Sequence, residues 1–561
     1  MAQECPVMTS PLSLYLANNH SPSDEEAIKA KELKQIPSAK LAKVEDLILQ
    51  TQHKLDALYE ERNALKSSIA RCNTILSPIR RVPQDVWREI FFHCLATHRN
   101  PIMSYTEAPL LLTHICNLWR SIALSTPQIW SRIYIPIFHT IRDPIFDLPP
   151  THVDHPEVFA VTDKIQQRCD LVPDWLGRAG VIPLSIALSN QSGAAPPTDL
   201  HHQLLDNIFL CSSRLQKLDL MTITMGEVHN RAFNLSVDQV PNLEDLRIFS
   251  IRNDRRHWYE HGIFKAPKLR KLSIGFLPGS GRPTTMFPIP SNWSKLTHLY
   301  IGSLIHANWA SQLLLHCPLL MHCNIKVKHA IPNSATDETH NLREINLPNL
   351  THFGITEDRN DGASIYSVMY APVLRNLEWF QIRLRHAVLD PFSIFQLLPR
   401  LESLNKFTFD PDVLTLDDAL DCFRLVPSIS HLRVGRKVDN LPFRTFSPKK
   451  NVIELLLPIP QEYPDQSLFL LPKLEKLEIY GVSISDKDLL DFIVTRLEHQ
   501  QPGVSRLRYL RGRFTRVKQM DISRQVEYHA KNVGVEFQLD LSWPVQDLEA
   551  GLSPSMGNSL S

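Results

Sequence analysis

Hydrophobic and polar positions change their period along this chain, and each change marks a different kind of element. From Ser38, an N-cap residue type, the segment AKLAKVEDLILQTQHKLDALYEERNALKSSIARCNTILS runs without Gly or Pro. Leu41, Val44, Ile48, Leu55, Leu58, Leu65, Ile69, Cys72 and Leu76 fall on heptad a and d positions, interrupted by Thr51 and Arg62. The spacing predicts a coiled-coil helix over 38–77 whose apolar seam is covered either by a second copy, in a homodimer, or by the helices that follow. Residues 1–37, rich in Ser, Pro and Asn, are expected to be disordered apart from a short helix from Asp24.

Over 78–135 the pattern shortens. In VPQDVWREIFFHCL, Val86, Ile90 and Phe91 recur at helical spacing, and Trp87 and Leu95 extend the stripe. In APLLLTHICNLWRSIAL, Pro109 sits near the start, and Leu112, Ile115, Cys116, Trp119 and Ile122 repeat at three and four residues. Two or three short helices cannot bury this many apolar side chains among themselves, so a partner surface is expected.

Residues 136–180 read as linker and cap. They carry no sustained period up to about Asp170; a short helix follows near Trp175, then a strand in which Leu184, Ile186 and Leu188 alternate. From 181 to 541 a motif PxLxxLxI recurs. Its first apolar positions are Leu215, Leu243, Leu269, Leu296, Leu320, Leu350, Leu374, Leu401, Ile429, Val452, Leu474 and Leu507. The last two apolar residues of each unit point inward from a parallel sheet, and those between and after them project from its other face. Stretches such as SQLLLHC, PFSIFQLL, DALDCFRLV and DLLDFIVTR can supply a helix on the outer side. No single unit can bury its own leucines, so the units must stack. The tail, 542–561, is expected to be disordered.

VPQDVWREIFFHCL, HICNLWRSIA and TPQIWSRI together resemble the three blocks of the F-box motif, and the array resembles the leucine-rich-repeat fold. The fold expected is an α/β solenoid, an irregular leucine-rich-repeat horseshoe, preceded by a small all-α F-box domain and the coiled-coil helix. The resemblance implies docking on a Skp-type adaptor through Val82 and Pro83 at the Leu-Pro positions, Asp85 at the acidic one, and Val86, Trp87, Ile90 and Phe91 on the docking helix. Ile115, Cys116 and Trp119 match the second block. Val82 for Leu and Asp85 for Glu depart from the pattern but leave the face apolar. The array departs more, with Ile223, Ile251, Leu277, Leu304, Ile382 and Val482 where Asn or Cys is usual, so its loops are expected to be irregular.

These resemblances imply the substrate-recognition subunit of a Skp-cullin-F-box ubiquitin ligase, which holds an unidentified protein target on the array and reaches a cullin through the adaptor. The alternative is a leucine-rich-repeat scaffold or regulator that recruits no cullin. No enzyme is expected: GxxxxGK[ST], GxSxG, HExxH and the Rossmann fingerprint are absent, and GSGRP at Gly279–Pro283 lacks the lysine of a phosphate loop.

Composition narrows the partners. A net charge of +1 across 561 residues gives no global field to gather nucleic acid or an anionic membrane, and neither is expected as a partner. The start lacks a basic leader and no apolar run approaches a membrane span, so a cytoplasmic or nuclear protein is expected. Nine cysteines without a CxxC pair fit reduced thiols. His316, Cys317, His322 and Cys323 are the one cluster of metal-type ligands, but in SQLLLHCPLLMHCNI the two cysteines read as core positions, so neither metal nor cofactor is expected.

Strand alternation places Asp245, Arg247, Phe249, Lys271, His298, Tyr300, Glu378, Phe380, Arg433, Lys476 and Tyr480 on the concave face. Tyr509, Arg511 and Arg513 complete it and form the first candidate target site, since guanidinium groups pair bidentately with acidic or phosphorylated groups. Its structural counterpart is a solvated last repeat with snorkelling arginines. The second candidate is the insertion Ile251–Phe264, with Arg255, Arg256, Trp258 and Tyr259 as interface anchors.

Overall fold

The structure is a computed structural model. It describes residues 10–17, 20–138, 156–191, 199–221, 226–251, 257–277, 287–328, 345–358, 372–384, 392–409, 415–435, 452–457, 469–482, 484–514 and 516–543. Two compact units divide the chain, Met1–Glu89 and Ile90–Ser561, and each is taken by itself below.

The first unit is dominated by one helix, Asp24–Leu76. It starts fourteen residues before Ser38 because Ser23 closes a capping box: its hydroxyl accepts from the Glu26 N–H at 3.4 Å, and the Glu26 carboxylate accepts from the Ser23 N–H at 2.9 Å. Asp24, Glu25 and Glu26 then meet the positive end of the helix dipole. Residues 24–37, expected to be mostly disordered, are therefore helical. Pro37 lies inside this helix; its missing N–H removes one hydrogen bond without ending a run of strong helix formers. No residue of the helix is buried, so Leu41, Val44, Ile48, Leu55, Leu58, Leu65 and Ile69 all carry exposed apolar surface.

The second unit is built on an open sheet of fourteen strands in which every neighbouring pair is parallel. Helices and 3-10 turns connect the strands, giving an α/β architecture. The inward positions form two apolar columns. One passes through Leu218, Leu246, Leu272, Leu299, Cys323, Phe353, Phe380, Phe407, Leu432, Leu477 and Leu510, all buried. In its middle Phe353, Phe380 and Phe407 stack with centroids 6.1 and 6.0 Å apart. Burying each such side chain contributes about 2 kcal/mol, a gain that exists only when neighbouring units cover one another.

The leucines that open the repeats are buried as the spacing requires, from Leu215 and Leu243 through to Leu507. One unit differs: NVIELLL forms a 3-10 helix, Val452–Leu456, and the strands His431–Val434 and Lys476–Tyr480 pair directly. Strands without the motif extend both ends of the sheet. Arg132–Phe138 lies at one edge, so the segment ending at 135 already enters the sheet, and Gln538–Ser542 lies at the other. The stretch expected to be linker contains the helix Pro156–Arg178, whose Ile165, Cys169, Val172 and Leu176 are buried at helical spacing. The irregular-turn positions find apolar burial instead of an Asn bond: Ile251, Leu277, Ile382 and Val482 are core, and the Leu277 N–H is met by the Ser303 hydroxyl at 2.7 Å. Ile223 lies outside the described residues.

Candidate functional site

The residues assigned to adaptor docking divide by burial. On the helix Gln84–His93, Val86 and Ile90, one turn apart, are exposed, whereas Trp87 and Phe91 are buried. The latter two are support rather than contact surface; Phe91 packs edge-on against the half-buried Trp119 at 5.2 Å. Val82 is half-buried, and Pro83 and Asp85 are exposed. Ile115 is exposed, and Cys116 caps the helix Asn117–Leu124 by accepting the Trp119 N–H at 3.5 Å. In the second unit Phe92, Leu111, Leu118 and Leu124 join Ile90 and Ile115 as exposed apolar side chains that the motif comparison did not single out. Beneath them Ile122, Ile129 and Trp130 are buried, with the Trp130 indole donating to the Ala123 carbonyl at 2.8 Å.

The first candidate target site is already paired. Tyr509, Arg511 and Arg513 do alternate onto the polar face. The following strand, however, sets Asp540 beside Arg511, and its carboxylate accepts from Arg511 Nε at 2.8 Å and sits 2.8 Å from Arg513 Nη1. The hydrogen bond from Arg513, joined by that from Arg511, holds the Asp540 carboxyl below its ordinary range against the opposing effect of burial. Two fixed positive charges were expected as an anchor; the structure has both arginines sharing one anion within the chain.

The second candidate is described only at its aromatic pair. Trp258 and Tyr259 are buried, not presented: Trp258 packs on Phe264 and Phe287, with centroids at 4.8 and 4.7 Å, and Tyr259 stacks on Phe287. Arg255 and Arg256 lie outside the described residues, as does the GSGRP stretch. Phe380 and Tyr480, expected to be exposed, are also buried, Phe380 in the apolar column and Tyr480 as a donor to Glu478 at 2.8 Å. Glu378 is exposed just before its strand.

The polar face holds something the motif reading did not isolate. One outward column runs Asp245, Lys271, His298, His322, His352, Trp379, Lys406, His431, Lys476, Tyr509 across successive strands. Its centre is a stack: His298 on His322 with centroids 4.4 Å apart, and His322 on His352 at 4.0 Å, with planes 8° and 14° from parallel. His352 then meets the Trp379 edge at 5.3 Å, and Lys406 Nζ lies 4.0 Å above the Trp379 ring. Trp379 is held by its indole N–H, which donates to the buried Thr408 hydroxyl at 3.0 Å. In the adjacent column Gly354 makes room for Asn324, whose side chain a Cβ there would meet at 2.9 Å. The three histidines, Trp379, Asn324 and Gly354 line a depression of about 330 Å³ together with Arg247, Lys271, Tyr300 and Gln381.

Hydrogen bonding fixes two of the three imidazoles. The Thr297 hydroxyl donates to the Arg270 carbonyl at 3.1 Å, so toward His298 Nδ1, at 3.0 Å, its oxygen can only accept. Thr351 repeats the arrangement with the Met321 carbonyl at 3.1 Å and His352 Nδ1 at 2.8 Å. With the hydroxyl proton on the carbonyl, each Nδ1 carries the hydrogen and each Nε2 keeps a lone pair. Burial, then His322 and Lys271, push His298 down to about 4; burial and Lys271 lower His322, and burial and His322 lower His352. The row is neutral at neutral pH. Its lone pairs lie in near-parallel ring planes, side by side, and cannot converge on one ion. Among the described residues no group of three or more His, Cys, Asp or Glu is placed to hold a metal. Cys317 and Cys323 are buried thiols, burial raising Cys317 to about 12, and His316 Nε2 contacts the Pro290 carbonyl, so the sequence cluster divides between core and surface.

Further along the same face, Glu478 joins His431 at 2.7 Å and Tyr480. Burial would raise the Glu478 carboxyl, but these hydrogen bonds and the Arg433 charge hold it at about 2. The histidine row was visible in principle, since THL, MHC and THF place His at one motif position in three successive units, His298, His322 and His352. No helix among the described residues is long and apolar enough to cross a membrane. No protein-family model and no curated protein sequence matches this chain.

Proposed function

We propose that this protein is the substrate-recognition subunit of a Skp-cullin-F-box ubiquitin ligase. Residues 78–135 serve as the F-box that binds the adaptor, the long parallel sheet serves as an irregular leucine-rich-repeat array that binds a target protein, and 38–77 pair with a second copy as a coiled coil. The observation that carries the reading is the set of apolar side chains left in water on short helices and the turn between them, Ile90, Phe92, Ile115 and Leu118, over a packed base of Phe91, Ile122 and Trp130. Exposed clusters of this type, held by a rigid base, are the ordinary form of a protein-binding surface. Target recognition on the polar face rests on a different feature, a rigid sheet presenting aromatic, imidazole and cationic groups in register.

Affinity purification of the full chain tests it. The wild type is expected to recover a Skp-type adaptor and a cullin, and Ile90→Asp with Ile115→Asp to recover neither, because each carboxylate would be desolvated in an apolar interface at a cost of several kcal/mol. Adaptor without cullin points to the scaffold alternative, and unchanged adaptor recovery by the double variant contradicts the docking assignment.

A further inference from the structure

The depression over the histidine row does not end at Tyr300. Arg247, Ser273 and Tyr300 also line a wider basin of about 1550 Å³ in the same unit. Its floor has an exposed apolar portion, Met221, Phe249 and Phe276, the two phenylalanines meeting edge-on at 5.2 Å. Its charged lining among the described residues is six cationic side chains (Arg99, Arg132, Arg168, Lys217, Arg247 and Lys326) against one carboxylate, Asp219, although Arg99 is already paired with Glu107 at 2.6 Å. The histidine row continues that bias, with Lys271 at one end and Lys406 at the other. Asp245, the acid at the Lys271 end, lies 3.6 Å from Lys217 and 3.4 Å from Arg247, and the Glu378 charge acts on His352 further along.

We propose that this row and the basin beside it form a docking site for an extended, carboxylate-bearing protein segment, which seats an apolar side chain over Phe249 and Phe276 and acidic side chains between Lys271 and Lys406. The assignment rests on the target-binding reading of the sheet and names the chemistry of what binds there. Charge complementarity gives the sign of the partner. The apolar floor selects protein over nucleic acid, and so does the neutral stretch of imidazole and indole between the two lysines, since a phosphate backbone requires a more continuous cationic track. Five strand-to-strand steps separate Lys271 from Lys406, about 24 Å at about 4.8 Å per step, which an extended chain covers in about seven residues.

Binding of this kind takes up protons. A carboxylate beside a neutral imidazole whose Nε2 is unprotonated favours the imidazolium, so affinity rises as pH falls. The groups that set this response are Asp245, Lys271, His298, His322, His352, Glu378 and Lys406, every charged or titratable neighbour that acts on the row from the strands on either side.

The test is fluorescence-anisotropy binding of the full-length protein to a labelled synthetic peptide with one Phe followed by Glu at alternate positions over about eight residues. Micromolar binding is expected, tighter at about pH 6 than at about pH 7.5, weakened at least about tenfold by Glu to Gln replacement in the peptide, and weakened as much by Lys271→Ala with Lys406→Ala. His322→Ala should remove most of the pH response while circular dichroism stays unchanged. Equal binding of the Gln peptide, or preferential binding of a single-stranded RNA of similar length, overturns the proposal. Adaptor recovery is a separate readout: its loss with peptide binding intact contradicts the ligase reading alone, and the reverse contradicts this site alone.

Discussion

The centre of the polar face and the strands near its C-terminal edge obey the same strand arithmetic and arrive at different electrostatic states. At Arg511 and Arg513 the next strand contributes Asp540, and the pair of cations is satisfied within the protein. At the histidine row Lys271 has Asp245 and His298 as its register neighbours, Asp245 being shared with Lys217 and Arg247, and Lys271 and Lys406 flank a neutral stack of three imidazoles and a tryptophan. The charge of a side chain on a sheet surface therefore says little until its cross-strand neighbour is known. The arginines looked like the stronger anchor because the strand that neutralises them does not carry the repeat motif.

The comparison can be broken most directly at the histidine row. Lys271→Ala with Lys406→Ala should lower acidic-peptide affinity at least about tenfold in the anisotropy assay, whereas Arg511→Ala with Arg513→Ala should leave it within about twofold. Converting one region into the other is the next largest effect. Asp540→Asn frees both arginines and should create a second, weaker site for the same peptide, seen as a second binding event in calorimetry; no new binding would mean that Asp540 is not what masks them.

Acid titration gives a smaller effect. The three stacked histidines have folded pKa values below the unfolded value, His298 at about 4, so below pH about 6.5 the unfolded chain binds protons that the folded chain does not. Stability is intact above that pH and declines as pH falls toward about 4. A triple change of His298, His322 and His352 to Gln should flatten the melting temperature over this window, and an unflattened profile would place the acid sensitivity elsewhere. Smallest is the stability cost of Arg511→Ala with Arg513→Ala, under about 1 kcal/mol by denaturant titration, as expected for half-exposed ion pairs.

Much of the sheet was legible in the sequence because its leucines repeat: Leu218, Leu246 and Leu272 are spaced by the unit, and their burial follows from period alone. Of the strands without the motif, Leu184–Gln191 showed in the alternation of Leu184, Ile186 and Leu188, and two others did not. Arg132–Phe138 reads as the tail of a helical segment, and Gln538–Ser542 offers only QLDLS after an ordinary helix. The helix Pro156–Arg178 was hidden by its two prolines although Ile165, Cys169, Val172 and Leu176 hold the period. Site residues were harder, because exposure depends on neighbours. Trp258 and Tyr259 have interface chemistry but a core environment, while His322 and His352 have plain chemistry and gain their role only from stacking across strands.

The measurement that bears most directly on the whole account is one quantitative purification carried out in parallel on three full-length proteins from cells with the proteasome inhibited: wild type, Lys271→Ala with Lys406→Ala, and Arg511→Ala with Arg513→Ala. The account predicts adaptor and cullin with all three, and a set of target proteins with wild type and the arginine variant that is lost from the lysine variant. Targets lost with the arginine variant and retained with the lysine variant would contradict it, and absence of adaptor from all three would remove the ligase reading itself.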